Sequence, residues 1–98
     1  MPMIGKTCAV VIKDREQAPE GLRSTAGLLM ANHTAAMFVL DLVIEASEKY
    51  KDDLEFLLEM EGLAYTNVPA NAEALGFTLL TDDEVAAKLR EHEVVIPF

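Results

Sequence analysis

In a chain this short, chemistry would need a nucleophile beside a base, converging metal ligands, or charged side chains gathered around a ligand. The 98 residues include one cysteine and two histidines. Cys8 lies inside the apolar run TCAVVI, where a free cysteine behaves as a small hydrophobe; a reactive thiolate needs an exposed, electropositive setting. His33 and His92 each follow a stretch of helical spacing, where a ring N–H or a cation meets the last unpaired carbonyls. No third ligand accompanies them at zinc spacing, so no metal and no cofactor is implied. Nucleophile elbows, phosphate-binding glycine loops and His-Glu-x-x-His are absent. Lys13 and Arg15, just before a helix start, can hold an anion. With no glycine-rich phosphate cradle present, the adjacent Asp14 and Glu16 favour an ordinary polar loop with its own salt pairing. The carboxylates of residues 41–61 fall outside an apolar stripe and read as a solvated face rather than an acid–base pair. These residues alone define no reaction.

The elements that must position them alternate. Thr7–Ile12 (TCAVVI) and Thr34–Leu40 (TAAMFVL) are continuous apolar runs of the kind found in strands covered on both faces. Between them Pro19 suits a helix's first turn, and Leu22, Ala26, Leu29 and Met30 recur at helical spacing before Asn32 and His33 close the helix. Residues 41–50 and 52–61 carry further helical spacing, as one helix or two, with Leu54, Leu57 and Leu58 on a stripe and Asp52 with Glu55 as a helix start. Leu63–Val68 predicts a third strand ending at Pro69, followed by a short helix over Ala70–Leu75 closed by Gly76. Phe77–Leu80 predicts a fourth strand. Thr81-Asp82-Asp83-Glu84 is a capping box whose helix buries Val85, Ala86 and Leu89. Val94–Phe98 predicts a fifth strand. Alternation with short links implies a single α/β domain over residues 1–98, a flavodoxin-like, three-layer arrangement around a five-stranded parallel sheet.

Ligands in such sheets bind beyond the carboxyl ends of the strands, where strand order reverses. That rule selects Lys13–Pro19, Asp41-Leu42, Asn67–Asn71, Thr81–Asp83 and Pro97-Phe98. The candidate ligand-binding residues are therefore Lys13, Arg15, Asp41, Asn67 and Asn71. Both histidines fall at the opposite edge.

Composition narrows the partners. The formal charge is −9, with four basic and three acidic residues in 1–33 against four basic and fourteen acidic in 34–98. An acidic surface has no counterion-release drive toward nucleic acid and is repelled by an anionic membrane. The longest apolar run, Ala35–Leu40, is far short of the ~20 residues of a membrane helix, and no signal peptide is evident, so the cytoplasm is the expected location. Apolar residues make up 51% of the chain. A domain of this size buries only roughly two-thirds of its unfolded surface, so the surplus predicts self-association.

The succession of strand TCAVVIKD, helix, strand MFVLD, helical middle, AYTNVPANAEALG, FTLLTDDEVAAKLRE and final VVIPF resembles the DsrE/DsrF/DsrH-like family, which includes the small subunits of bacterial sulfur-relay (Tus) complexes. The resemblance runs along nearly the whole chain, in hydrophobic pattern and in the register of residues 64–98. It implies a cysteine persulfide carrier just after the third strand, a position held here by Asn67. Asparagine has no thiol, so the resemblance implies a non-catalytic companion or binding subunit. It also implies a dimer, a trimer or a mixed oligomer with related sulfur-relay subunits. The reading from another class is a small-anion binding module built on the Lys13–Arg15 loop and the first helix's N-terminus. An enzyme using Cys8 is a third.

Overall fold

The computed structural model describes residues 6–98. Five strands, β1 (Thr7–Ile12), β2 (Thr34–Val39), β3 (Leu63–Thr66), β4 (Thr78–Leu79) and β5 (Val94–Pro97), form one sheet in the order β4-β3-β2-β1-β5. Every pairing is parallel, with Ala9 opposite both Ala36 and Val95, and Tyr65 opposite Thr78. The α/β, flavodoxin-like topology expected from the alternation is present.

Four helices connect the strands: α1 (Ala18–Met30), α2 (Glu48–Glu59), α3 (Pro69–Leu75) and α4 (Asp82–Arg90), with a 3-10 turn at Arg15–Gln17 ahead of α1. Side-chain alternation along the strands divides the core in two. Val10, Ile12, Met37, Val39 and Ala64 pack with Leu22, Leu54, Leu57 and Leu75, which places α1, α2 and α3 on one face. Ala9, Ala36, Phe38 and Tyr65 pack with Val85 and Leu89, which places α4 alone on the other. α1 approaches β1 so closely that a Cβ on Gly21 would stand 2.3 Å from Ile12 Cδ1, so glycine here makes room for the Ile12 side chain.

Helix ends follow local chemistry. Thr81 and Glu84 form the expected capping box of α4, each side chain bonding the other's backbone N–H. Gly76 closes α3 at φ +77°, a conformation that costs a side chain strain. His92 Nδ1 lies 2.8 Å from the Lys88 carbonyl at the end of α4, the contact its position predicts.

Three expectations are corrected. The helical spacing of residues 41–50 does not make a helix before Glu48: Leu42 and Ile44 are buried while Val43 and Glu45 are exposed. The segment is extended, and its backbone is bonded to a side chain from α3 rather than to itself. α2 accordingly starts at Ser47, whose Oγ accepts the Tyr50 N–H at 3.1 Å, and not at Asp52. Two stripe residues, Met30 on α1 and Leu58 on α2, are exposed rather than buried, at 63% and 43%. The faces that pack are Ala18, Gly21, Leu22 and Thr25 on α1, and Tyr50, Leu54 and Leu57 on α2. Both displaced residues lie at the margin of their stripes, and lateral neighbours decide whether a margin is covered. Finally, Lys13 and Arg15 do not pair with Asp14 and Glu16. Asp14 instead caps the 3-10 turn through the Glu16 N–H, and the two cations reach residues after β2.

Candidate functional site at the carboxyl edge

The chain leaves β1, β2 and β3 toward the three-helix face, but leaves β4 toward α4 on the other. The loops after β3 and β4 therefore part to opposite sides, and the carboxyl edge between them is where the ligand crevice of an α/β sheet is expected. Asn67 stands there as the first residue after β3. Its Nδ2 donates to Asp41 Oδ1 at 2.9 Å and to Asp82 Oδ1 at 3.0 Å, and its Oδ1 accepts the Asp41 N–H at 2.9 Å. Asp41 turns the chain at φ +62°, a left-handed conformation that aspartate tolerates better than most side chains. Lys13 Nζ lies 4.0 Å from Asp41 Oδ2. The structure thus brings Lys13, Asp41 and Asn67 together, adds Asp82 from the capping segment, and leaves Arg15 apart, 3.6 Å from Glu45.

Asn71 serves the site from beneath. It is buried; its Oδ1 accepts the Ile44 N–H, and its Nδ2 donates to the Leu42 carbonyl and to Thr66 Oγ1. Thr66, also buried, donates to the Val39 carbonyl at 2.8 Å and accepts the Val68 N–H at 3.1 Å. These two side chains tie the ends of β2 and β3 to the first turn of α3 and hold the 42–44 segment extended. A threonine closing a strand has no distinctive spacing, so nothing in the sequence marks Thr66 as a positioning residue.

Comparison with family models, curated proteins and solved structures finds no match.

Chemically, this edge offers two exposed carboxylates, an amide whose donors are both engaged, and an ammonium. None of these is a sulfur nucleophile. Cys8 is 3% exposed, within β1 and away from its carboxyl end. Among the described residues, no three His, Cys, Asp or Glu side chains converge closely enough for a metal ion.

Beside this edge, on the three-helix face, a cavity of about 320 Å³ lies between the first turns of α1 and α2. Arg15 and Tyr50 are among its walls. The Tyr50 hydroxyl is buried without a hydrogen-bond partner among the described residues, and burial pushes its pKa from 10.0 up to about 12. Of the candidate ligand-binding residues only Arg15 lines the cavity, with Pro19 from the same selected segment. Arg23, in the second turn of α1, and Lys49, in the first turn of α2, also line it, at positions where exposed cations are unremarkable.

Proposed function

We propose that this chain is a non-catalytic companion or binding subunit of the DsrE/DsrF/DsrH-like kind, related to intracellular sulfur relay and acting in the cytoplasm. In this reading it assembles as a homo-oligomer or with related sulfur-relay subunits. The observation that carries the reading is Asn67. It occupies the carboxyl end of the third strand, where the resemblance implies a persulfide-bearing cysteine, and its amide is locked between Asp41 and Asp82. A persulfide carrier needs an exposed thiolate, because the thiolate is the nucleophile that takes the sulfur. Cys8, the single cysteine of the chain, is enclosed in β1. What remains at this edge is an acidic surface suited to docking rather than to transfer.

The test is direct. Incubation with a cysteine desulfurase and free cysteine leaves the intact mass unchanged when measured without reductant. A gain of one sulfur atom, mapped to Cys8, would refute the non-catalytic reading.

A further inference from the structure

Three of the eight basic residues of this acidic chain, Arg15, Arg23 and Lys49, line the cavity between α1 and α2. Pro19, Ile44 and the ring of Tyr50 supply apolar wall. Each cation has a carboxylate neighbour: Glu45 for Arg15 at 3.6 Å, Asp53 for Lys49 at 3.3 Å, and Glu20 for Arg23. All three cations are more than half exposed, so these are solvent-screened pairs that a better-placed anion can displace. The starts of α1 and α2 add the positive ends of two helix dipoles on the same side. Tyr50 itself is one of the lining residues. Tyr50 is 6% exposed, and its hydroxyl is the one buried side-chain polar atom among the described residues with no partner. The hydroxyl is closed off from solvent, so it is the ring of Tyr50 that faces the cavity and adds to its apolar wall.

We propose that this cavity binds a small organic anion with an apolar body, an aryl or short-chain carboxylate or phosphate. Arg15, Arg23 and Lys49 hold its charged group, and Pro19, Ile44 and Tyr50 receive the rest. The volume is at the lower end of the ~300–1,000 Å³ of small-molecule sites. Guanidinium forks recognise carboxylate and phosphate oxygens in pairs, which selects an oxyanion over a halide. The site uses none of Asp41, Asn67 or Asp82 and goes beyond the sulfur-relay reading without depending on it.

Phenyl phosphate, benzoate, inorganic phosphate and phenol, titrated separately into the ¹⁵N-labelled full chain, provide the test. Phenyl phosphate or benzoate saturably shifts amides within 15–23 and 44–53. Inorganic phosphate and phenol, each carrying half of the chemistry, bind about tenfold more weakly or worse. Arg23→Gln and Lys49→Gln alter exposed side chains and leave the amide spectrum folded, yet each weakens the organic anion about fivefold to tenfold. The proposal is overturned if neither organic anion saturates by about 10 mM. It is equally overturned if the shifts map instead to Asp41, Asn67 and Asp82 or to Met30 and Phe56, or if the two glutamine variants bind as tightly as the parent.

Discussion

Asn67 and Asn71 are four positions apart, and their surroundings give them opposite duties. Asn67 lies among partly exposed carboxylates, where water can replace any bond it loses. Asn71 is 1% exposed, and its removal strands the Ile44 N–H, the Leu42 carbonyl and Thr66 Oγ1 away from water. Each such orphan costs about 1–3 kcal/mol. Asn71→Leu is therefore expected to lose about 3 kcal/mol or more, against less than about 1 kcal/mol for Asn67→Ala, as read by urea denaturation. Equal losses would refute the division of roles. Tyr50 carries a second prediction. Its folded-state pKa of about 12 lies above the ordinary 10.0 because burial disfavours the phenolate. Below pH 10 both folded and unfolded states keep the proton. Between about 10 and 12 the unfolded state ionises first, so stability falls with rising pH, by about 2–3 kcal/mol over the window. Tyr50→Phe should lack this component and, at neutral pH without ligand, be equal to the parent or about 1 kcal/mol more stable. A Tyr50→Phe variant whose alkaline stability falls as steeply as the parent's would show that the phenol is not buried as described. Cys8 adds a third. Enclosed in β1, its thiol should react with an aromatic disulfide reagent far more slowly in native protein than in denaturant. Equal rates would revive a chemical role for it.

At the scale of elements, what decides each boundary is whether backbone groups find local or distant partners. α4 is determined locally: Thr81 and the three acidic residues of its first turn, Asp82, Asp83 and Glu84, complement the free N–H groups and the helix dipole. Thr81→Ala should cost about 1 kcal/mol, lowering the melting temperature by about 4–8 °C. No change on calorimetry would mean that the acidic first turn alone suffices. The segment before α2 is the contrary case. Leu42-Val43-Ile44 has the apolar content of either a helix or an extended chain, and the amide of Asn71 selects the extended form. That choice brings Arg15 and Glu45 within reach of each other and opens the cavity between the two helix starts.

Over the whole molecule, the helices are distributed unequally. Three cover one face of the sheet, and the nine residues of α4 cover what they can of the other. Val95, on the α4 side of the edge strand β5, stays 49% exposed, and Leu63 46%. Met30 and Phe56 are exposed on the opposite side. Apolar surface on both flanks of a thin domain is the physical basis for expecting a dimer or trimer. Light scattering coupled to size exclusion at micromolar concentration should give a mass two or three times 10.8 kDa. A clean monomer would remove that support from the companion-subunit proposal. No helix among the described residues is long and apolar enough to cross a membrane.

Sequence alone determined the features whose causes are local or periodic. Continuous apolar runs specified β1 and β2, the capping box specified α4, and Gly76 the end of α3. Alternation then implied the parallel sheet and, with it, the edge on which Lys13, Asp41 and Asn67 would meet. The burial of Cys8 and the placing of both histidines near helix C-termini followed from the same patterns. Tertiary structure alone decided the features that depend on partners far along the chain. It brought Asp82 to Asn67 across 15 positions and made Asn71 a buried clamp for residues 42–44 across 27 or more. It exposed Met30 and Leu58 by leaving the margins of their stripes without neighbours. It also gathered Arg15, Arg23 and Lys49 from two helix starts that share no sequence pattern. Periodicity records which side of an element is apolar. Which neighbour covers that side, and which buried polar group lacks a partner, are settled only when the elements pack.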